Sequence, residues 1–255
     1  MRIDTKPYYG YPIRLFLMNI PLSLPICLMI ILLIIIKSSI IYIIVFILLF
    51  IISFIYGILL GKRYKNVKKI TTNNLLNFSK IRGNEKILDL GTGAGIVAIN
   101  IAKKLDNGEV YGIDRWNSLP IIRSRLLFHM ITGSDLHNAE KNAKLENVSN
   151  KIKFRMGSLT EQLQFPDNFF DIICSNESLY FISNKEQRIY LLKQIDRVLK
   201  KDGRFIFCEP EKIFLGWNIQ TVIDFFKQLQ YDVDIFPVTL PRGWTHLSIL
   251  VGKKN

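Results

Sequence analysis

The sequence predicts a doubly wound α/β sheet of seven strands, preceded by an N-terminal transmembrane helical hairpin. Three observations carry that prediction. From about residue 75 onward, short apolar runs alternate with helix-length segments, the pattern of a largely parallel sheet with helices on both faces. The run ILDLGTGAGIVAINIAKKL, from Ile87 to Leu105, reads as strand, glycine-rich turn and helix. Two uncharged, Ile/Leu-rich stretches, residues 15–36 and 40–60, stand before the rest.

At about 1.5 Å per residue, each stretch is long enough to reach across a hydrocarbon core of about 30 Å. Both exceed the ~7–15 apolar residues of a cleaved signal. Pro21 and Pro25 kink the first, which a membrane helix tolerates where neighbours satisfy the freed carbonyls. A re-entrant hairpin and a buried core helix are the alternative readings. Residues 1–70 hold nine Lys/Arg and one acid, whereas residues 71–255 hold 25 bases and 20 acids. Most of the net charge of +13 therefore lies beside the apolar stretches, with only Lys37 between them. The positive-inside rule then places the N-terminus and the large domain in the cytoplasm, on a two-span membrane anchor over 1–63 with the bilayer as partner. A polar linker at 64–74 leads to the domain at 75–255. That domain is too nearly neutral for a nucleic-acid reading. Cys27, Cys174 and Cys208 show no paired spacing, so they predict neither a zinc site nor a disulfide framework, and no metal is expected.

Within the domain the apolar runs predict strands at 86–90, 109–113, 151–156, 170–174, 203–208, 231–237 and 247–252. Helices fall between them at 75–80, 96–105, 135–146, 185–199 and 219–230. Ser134 is placed to cap one helix, and Lys200-Lys201-Asp202-Gly203 supplies the basic residues and glycine of a helix end. Ligands of open α/β sheets bind beyond the carboxyl ends of the strands. Four polar clusters sit at such ends: Asp89-Leu90-Gly91, Asp114, Gly157-Ser158 and Ser175-Asn176-Glu177.

Gly91, Gly93 and Gly95 permit positive φ and remove the Cβ that would hold a ligand away from the backbone. Asp114, 21 residues after Gly93, is placed to accept both hydroxyls of a ribose. The bland readings are a local turn bond for Asp114 and capping of the turn amides for Asp89. Taken alone the turn serves NAD, FAD or another nucleoside equally.

The order of motifs resembles class I S-adenosylmethionine-dependent methyltransferases of the type 11-like group. LDLGTGAG at Leu88 to Gly95 matches the family's first motif, with Asp89 near the methionine end of the cofactor, and GID at Gly112 to Asp114 matches the acidic end of the second strand. FPDNFFDIICSNESLYFI, Phe165 to Ile182, is similar to the segment around the fourth strand. LLKQIDRVLKKDGRFIF, Leu191 to Phe207, is similar to the helix, turn and fifth strand that follow. The resemblance covers about residues 75–252 and implies a Rossmann-like methyltransferase sheet with S-adenosyl-L-methionine as cofactor. Carried over, the cofactor-binding residues are Asp89, Gly91, Thr92, Gly93, Gly95, Asp114, Arg115, Trp116, Gly157, Ser158, Leu159 and Asn176. Ser158 departs from the pattern, since the family commonly places an Asp there for the adenine amine.

Catalysis in this family is chiefly the alignment of a sulfonium methyl with a nucleophile, with a base where a proton must leave. Glu177 and Tyr180 are the candidates at the acceptor side. The alternatives are a helix-start acid for Glu177 and core packing for Tyr180 and Phe181. SNES stands where amide- and base-methylating enzymes carry Asn/Asp-Pro-Pro-Tyr, which argues against nucleic acid as substrate. The long connection at 117–133 reads either as a membrane-facing entrance for a lipid-like acceptor or as a lid packed on the domain. The implied function is a membrane-anchored methyltransferase acting on a small or lipid-like acceptor. A tethered S-adenosylmethionine-binding sensor without turnover is the alternative, and an NAD-dependent enzyme the third.

Overall fold

Residues 86–90 are apolar at nearly every position because strand β1 (Lys86–Leu90) is covered on both faces, and only Lys86 is exposed. The structure is a computed structural model that describes residues 7, 9, 28, 29, 31, 32, 40–116, 134–182, 184–213, 216–241 and 246–255. After helix α1 (Ile40–Ser79) and β1 come α2 (Ile96–Ala102), β2 (Glu109–Asp114), α3 (Leu136–Leu145), β3 (Ile152–Met156) and β4 (Phe170–Asn176). Then follow α4 (Lys185–Val198), β5 (Leu199–Pro210), a two-stranded hairpin of β6 (Lys212–Ile213) and β7 (Trp217–Asn218), α5 (Ile219–Gln228), β8 (Asp232–Pro237) and β9 (Leu247–Lys253).

The main sheet has seven strands in the order β3-β2-β1-β4-β5-β9-β8. The strands from β3 to β5 pair in parallel, and β9 runs antiparallel to both β5 and β8. The order reverses between β1 and β4, so the carboxyl ends of β1, β2 and β4 open the crevice in which such sheets take ligands. Alternating side chains divide the core in two. Leu88, Leu90, Ile173, Phe205 and Phe207 pack with α4 and α5 on one face. On the other face Ile87, Val110, Ile172 and Ile206 pack with α1, α2 and α3.

Several expectations are corrected. The polar stretch at 64–74 is helical, the continuation of α1 to Ser79. Val67, Thr71, Thr72, Leu75, Leu76 and Ser79 turn one buried stripe of that helix toward the sheet. The side chain of Arg204 bonds the carbonyls of Ser79 and Lys80 and fastens its end. Asp135, not Ser134, caps α3 by accepting from the backbone N–H of Asn138 at 3.3 Å. β5 starts at Leu199 because the Lys200–Gly203 stretch bulges out of the ladder: pairing with β4 jumps from Phe170–Leu199 to Ile172–Arg204, and Asp202 takes φ +62°.

The multi-pass membrane localisation is also corrected. Among the described residues no helix is long and apolar enough to cross a membrane. Of the first expected span only Leu28, Met29, Ile31 and Leu32 are described. The connection at 117–133, with His129, lies outside the described residues, as does Cys27.

Candidate functional site

The glycine turn is built from its own short-range bonds. Gly91, Gly93 and Gly95 all take positive φ, +72°, +54° and +84°. The backbone N–H groups of Gly91 and Thr92 donate to the carbonyl of Ile113 at 2.9 and 3.0 Å, which ties the turn to β2. Among the described residues a Cβ at Gly93 would meet nothing nearer than Ser134 Oγ at 3.8 Å, so they leave that face of the turn an open cradle. Gly112 lets Thr92 and Phe154 close in beneath it, since a Cβ there would lie 2.9 Å from each.

Asp89 is 1% exposed and points under α2. Its Oδ2 accepts from Thr92 Oγ1 at 2.6 Å and from the Ala98 backbone N–H at 3.2 Å, and the Cys174 thiol stands 3.7 Å from Oδ1. These bonds favour its ionised form, but burial outweighs them and pushes its pKa up to about 7. Asp89 thus sits within the turn as its internal brace.

Asp114 is half-buried and holds the turn from the other side, Oδ2 accepting from Gly93 N–H at 2.8 Å and Oδ1 from Trp116 N–H at 3.2 Å. Trp116 takes φ +32°, is nearly buried, and donates from Nε1 to the Gly93 carbonyl at 2.8 Å. Its ring meets Phe154 edge-on at 6.1 Å. The Gly157 N–H donates to the Asp114 carbonyl at 3.0 Å and brings the end of β3 alongside.

The structure therefore gathers Asp89, Gly91, Thr92, Gly93, Gly95, Asp114, Trp116 and Gly157 around one turn. Other expected residues stand differently. Arg115 is exposed. Ser158 Oγ bonds Thr160 Oγ1 at 2.8 Å and accepts the Thr160 N–H at 3.2 Å, forming a local turn. The Leu159 side chain lies in the core with Leu163 and Phe165. Asn176 turns toward α1, donating to Thr71 Oγ1 at 3.2 Å, and its buried Oδ1 has no hydrogen-bond partner among the described residues.

On the acceptor side, Glu177 takes φ +55° and its N–H donates to the Cys208 carbonyl at 2.8 Å. Burial raises its pKa, and the charge of Lys68 on α1 opposes the rise. Tyr180 stacks on the exposed ring of Phe181 at 4.2 Å. The polar clusters read at the strand ends leave out Glu209, which ends β5 and bonds Ser175 at 2.6 Å. Its signal is an acid closing a third core strand, as Asp89 and Asp114 close theirs.

Among the described residues no group of three His, Cys, Asp or Glu side chains is placed to hold a metal ion. A cleft of about 860 Å³, lined in part by Lys80, Arg82, Asp171, Lys200 and Arg204, opens at the amino ends of the strands and is remote from the glycine turn.

Residues 117–207 match a family described as "Methyltransferase domain". Over these residues the chain is similar to that family of methyltransferase domains. It is 31% identical over 150 residues to the ubiquinone/menaquinone biosynthesis C-methyltransferase UbiE of Rickettsia prowazekii, a match covering 59% of this chain and 52% of that protein. It thus spans about half the length of the curated relatives it matches. A S-adenosylmethionine-dependent methyltransferase from Aquifex aeolicus superposes with a TM-score of 0.53 at 15% identity, covering 72% of this chain and 89% of that one. The N-methyltransferase NodS from Bradyrhizobium japonicum gives a TM-score of 0.56 at 13% identity, over 73% and 96% of the two chains. These two show the shared fold. The methyltransferase domain takes S-adenosylmethionine as its cofactor, and the open cradle at Gly93 with the carboxylate of Asp114 beside it fits a nucleoside with a diol.

Proposed function

We propose that the chain transfers the methyl group of S-adenosyl-L-methionine to a small or lipid-like acceptor. The observation that carries the reading is the meeting of the Gly93 cradle with Asp114, whose two oxygens each hold a backbone N–H and keep lone pairs for the ribose hydroxyls. Trp116 and the Gly157-Ser158 pair border the nucleoside end. Asp89 keeps the turn in the shape that receives the cofactor. When bound, the cofactor supplies an electrophilic sulfonium methyl. The chain's part is to orient it, exclude water and present the acceptor from the side of Glu177 and Tyr180. Glu177, whose pKa burial raises, is the candidate to take a proton from an acceptor. The lipid-like class is supported by likeness to a protein named for quinone biosynthesis and by the exposed ring of Phe181 beside Tyr180. Nucleic acid is not proposed as acceptor.

Calorimetric titration of the whole protein with S-adenosylmethionine, S-adenosylhomocysteine and NAD is the first test. Binding of the first two without NAD is expected, and binding of NAD alone overturns the reading. Transfer of a radiolabelled methyl into organic-extractable material then tests the lipid-like class, and label found only in the aqueous fraction removes it. A sensor without turnover is the second reading, favoured by the engagement of Ser158 with Thr160 in place of a free acid for the adenine amine. Cofactor binding without methyl transfer to any extract selects it.

A further inference from the structure

The carboxyl edge of the sheet holds a second buried carboxyl group, on the face opposite Asp89. Glu209 is 1% exposed, and its Oε1 accepts from the backbone N–H groups of Ser178 and Leu179 at 3.0 and 3.1 Å. The same Oε1 lies 2.6 Å from Ser175 Oγ; Ser175 Oγ lies 2.7 Å from Ser178 Oγ; Ser178 Oγ lies 2.7 Å from the carbonyl oxygen of Leu90. Three oxygen-to-oxygen contacts thus run in series from Glu209 to the residue before Gly91.

Each contact is of hydrogen-bond length and needs a proton. A carbonyl oxygen only accepts, and each serine brings a single hydroxyl hydrogen. Two hydroxyls fill two contacts, and the remaining source for the third is the carboxyl group itself. With Glu209 ionised, one contact would face two lone pairs and must open. The backbone N–H groups, and the Ser175 hydroxyl when it donates, favour the ionised form; burial outweighs them and favours the acid, which alone supplies the third proton.

The chain ends where the cofactor turn begins. Ser178 packs over Gly91 so closely that a Cβ added there would lie 2.3 Å from the Ser178 Cβ. We infer that Glu209 is a positioning residue acting as a neutral carboxylic acid: it donates the third proton of the chain Glu209–Ser175–Ser178–Leu90 and so fixes the segment after β4 against the glycine turn. The inference rests on the proposed S-adenosylmethionine site.

The titratable neighbours are few. Glu177, on the turn after β4, acts on Glu209 through its charge, and the Cys208 thiol on β5 is held neutral by burial and by both carboxyl groups. Across the ladder β9 presents Ser248, and Lys68 of α1 acts on Glu177. Burial, against the hydrogen bonds from Ser175, Leu179 and Ser178 and with a smaller push from the charge of Glu177, raises the Glu209 pKa to about 7, inside the range a binding experiment can cross.

The test is calorimetric titration of the whole protein with S-adenosylmethionine from pH 6 to pH 8. Wild type is expected to lose about tenfold in affinity across this window beyond any loss in E209Q, as one hydrogen bond opens. In E209Q the amide oxygen accepts both backbone N–H groups but carries no proton for Ser175, so its affinity stays at the wild-type value of high pH. S178A removes the middle of the chain and keeps the packing over Gly91; it is expected to flatten the profile likewise and stands in if E209Q does not fold. The cofactor's own amino group titrates alike in all three proteins, so the readout is the difference between profiles. Equal slopes in wild type and variants overturn the positioning role. Failure of wild type to bind the cofactor at any pH overturns instead the proposed function.

Discussion

Asp89 and Glu209 lie at one edge of the sheet, on opposite faces, and both hold their protons to about 7 because burial outweighs their partners. They are assembled differently. The two closest partners of Asp89 are Thr92 and Ala98, three and nine residues away, and only the weaker Cys174 thiol contact comes from β4. Those of Glu209 come from residues 175–180, about thirty positions earlier, and exist only once β4 and β5 have paired. The first is a brace inside one motif, and the second is a strut between two. Long-range carboxyl networks of the second kind bind the halves of a crevice together, and no local motif announces them.

The contrast can be broken most severely at the residue the two systems share. Gly91 has φ +72° and no room for a Cβ under Ser178, so G91A should cost about 3 kcal/mol from left-handed strain and overpacking, read from the urea midpoint. Next, truncating each carboxyl group should rank them. E209A strands a hydroxyl and the N–H groups of Ser178, Leu179 and Tyr180 and should cost about 3 kcal/mol, against about 2 kcal/mol for D89A, which strands fewer donors. Equal losses would erase the distinction between brace and strut.

A smaller effect is expected from pH. In the unfolded chain the two groups ionise near their ordinary values of 3.8 and 4.5, but in the fold only near 7. The folded state therefore binds more protons between these limits, and their contribution to stability is full below the ordinary values and lost as pH rises to about 7. Thermal midpoints measured without cofactor from pH 5 to 8 should fall more in wild type than in the D89N/E209Q double variant. The smallest effect concerns Ser158. S158D retains an acceptor for the Thr160 N–H and adds a charge toward the nucleoside end, so S-adenosylmethionine should bind about threefold more tightly by calorimetry.

The brace was legible in the sequence because its closest contacts lie within Asp89 to Ala98 and its glycines mark the turn. The parallel order of β1, β2, β4 and β5 follows from strand and helix alternation, and β9 from its apolar run. The helical course of 64–74 was not legible, for a physical reason. The buried stripe of α1 carries Thr71, Thr72 and Ser79 among Val67, Leu75 and Leu76, so its 3.6-residue period does not read as apolar. Glu209 was missed because an acid at a strand end says nothing of distant hydroxyls. Ser158 was seen as a departure, but its bond to Thr160 depends on a turn geometry that composition does not encode.

The position of β9 has a consequence for the order in which the molecule can assemble. Among the described residues β8 has β9 as its sole partner in the main sheet, and β9 fits between it and β5. Although β8 comes first along the chain, it has no place to dock until its successor has arrived. Through that interval β5, with Phe205, Ile206 and Phe207 at its centre, presents an open edge to any other extended chain. The hazard period in the life of this protein therefore comes late, when most of the crevice that receives the cofactor can already be in place.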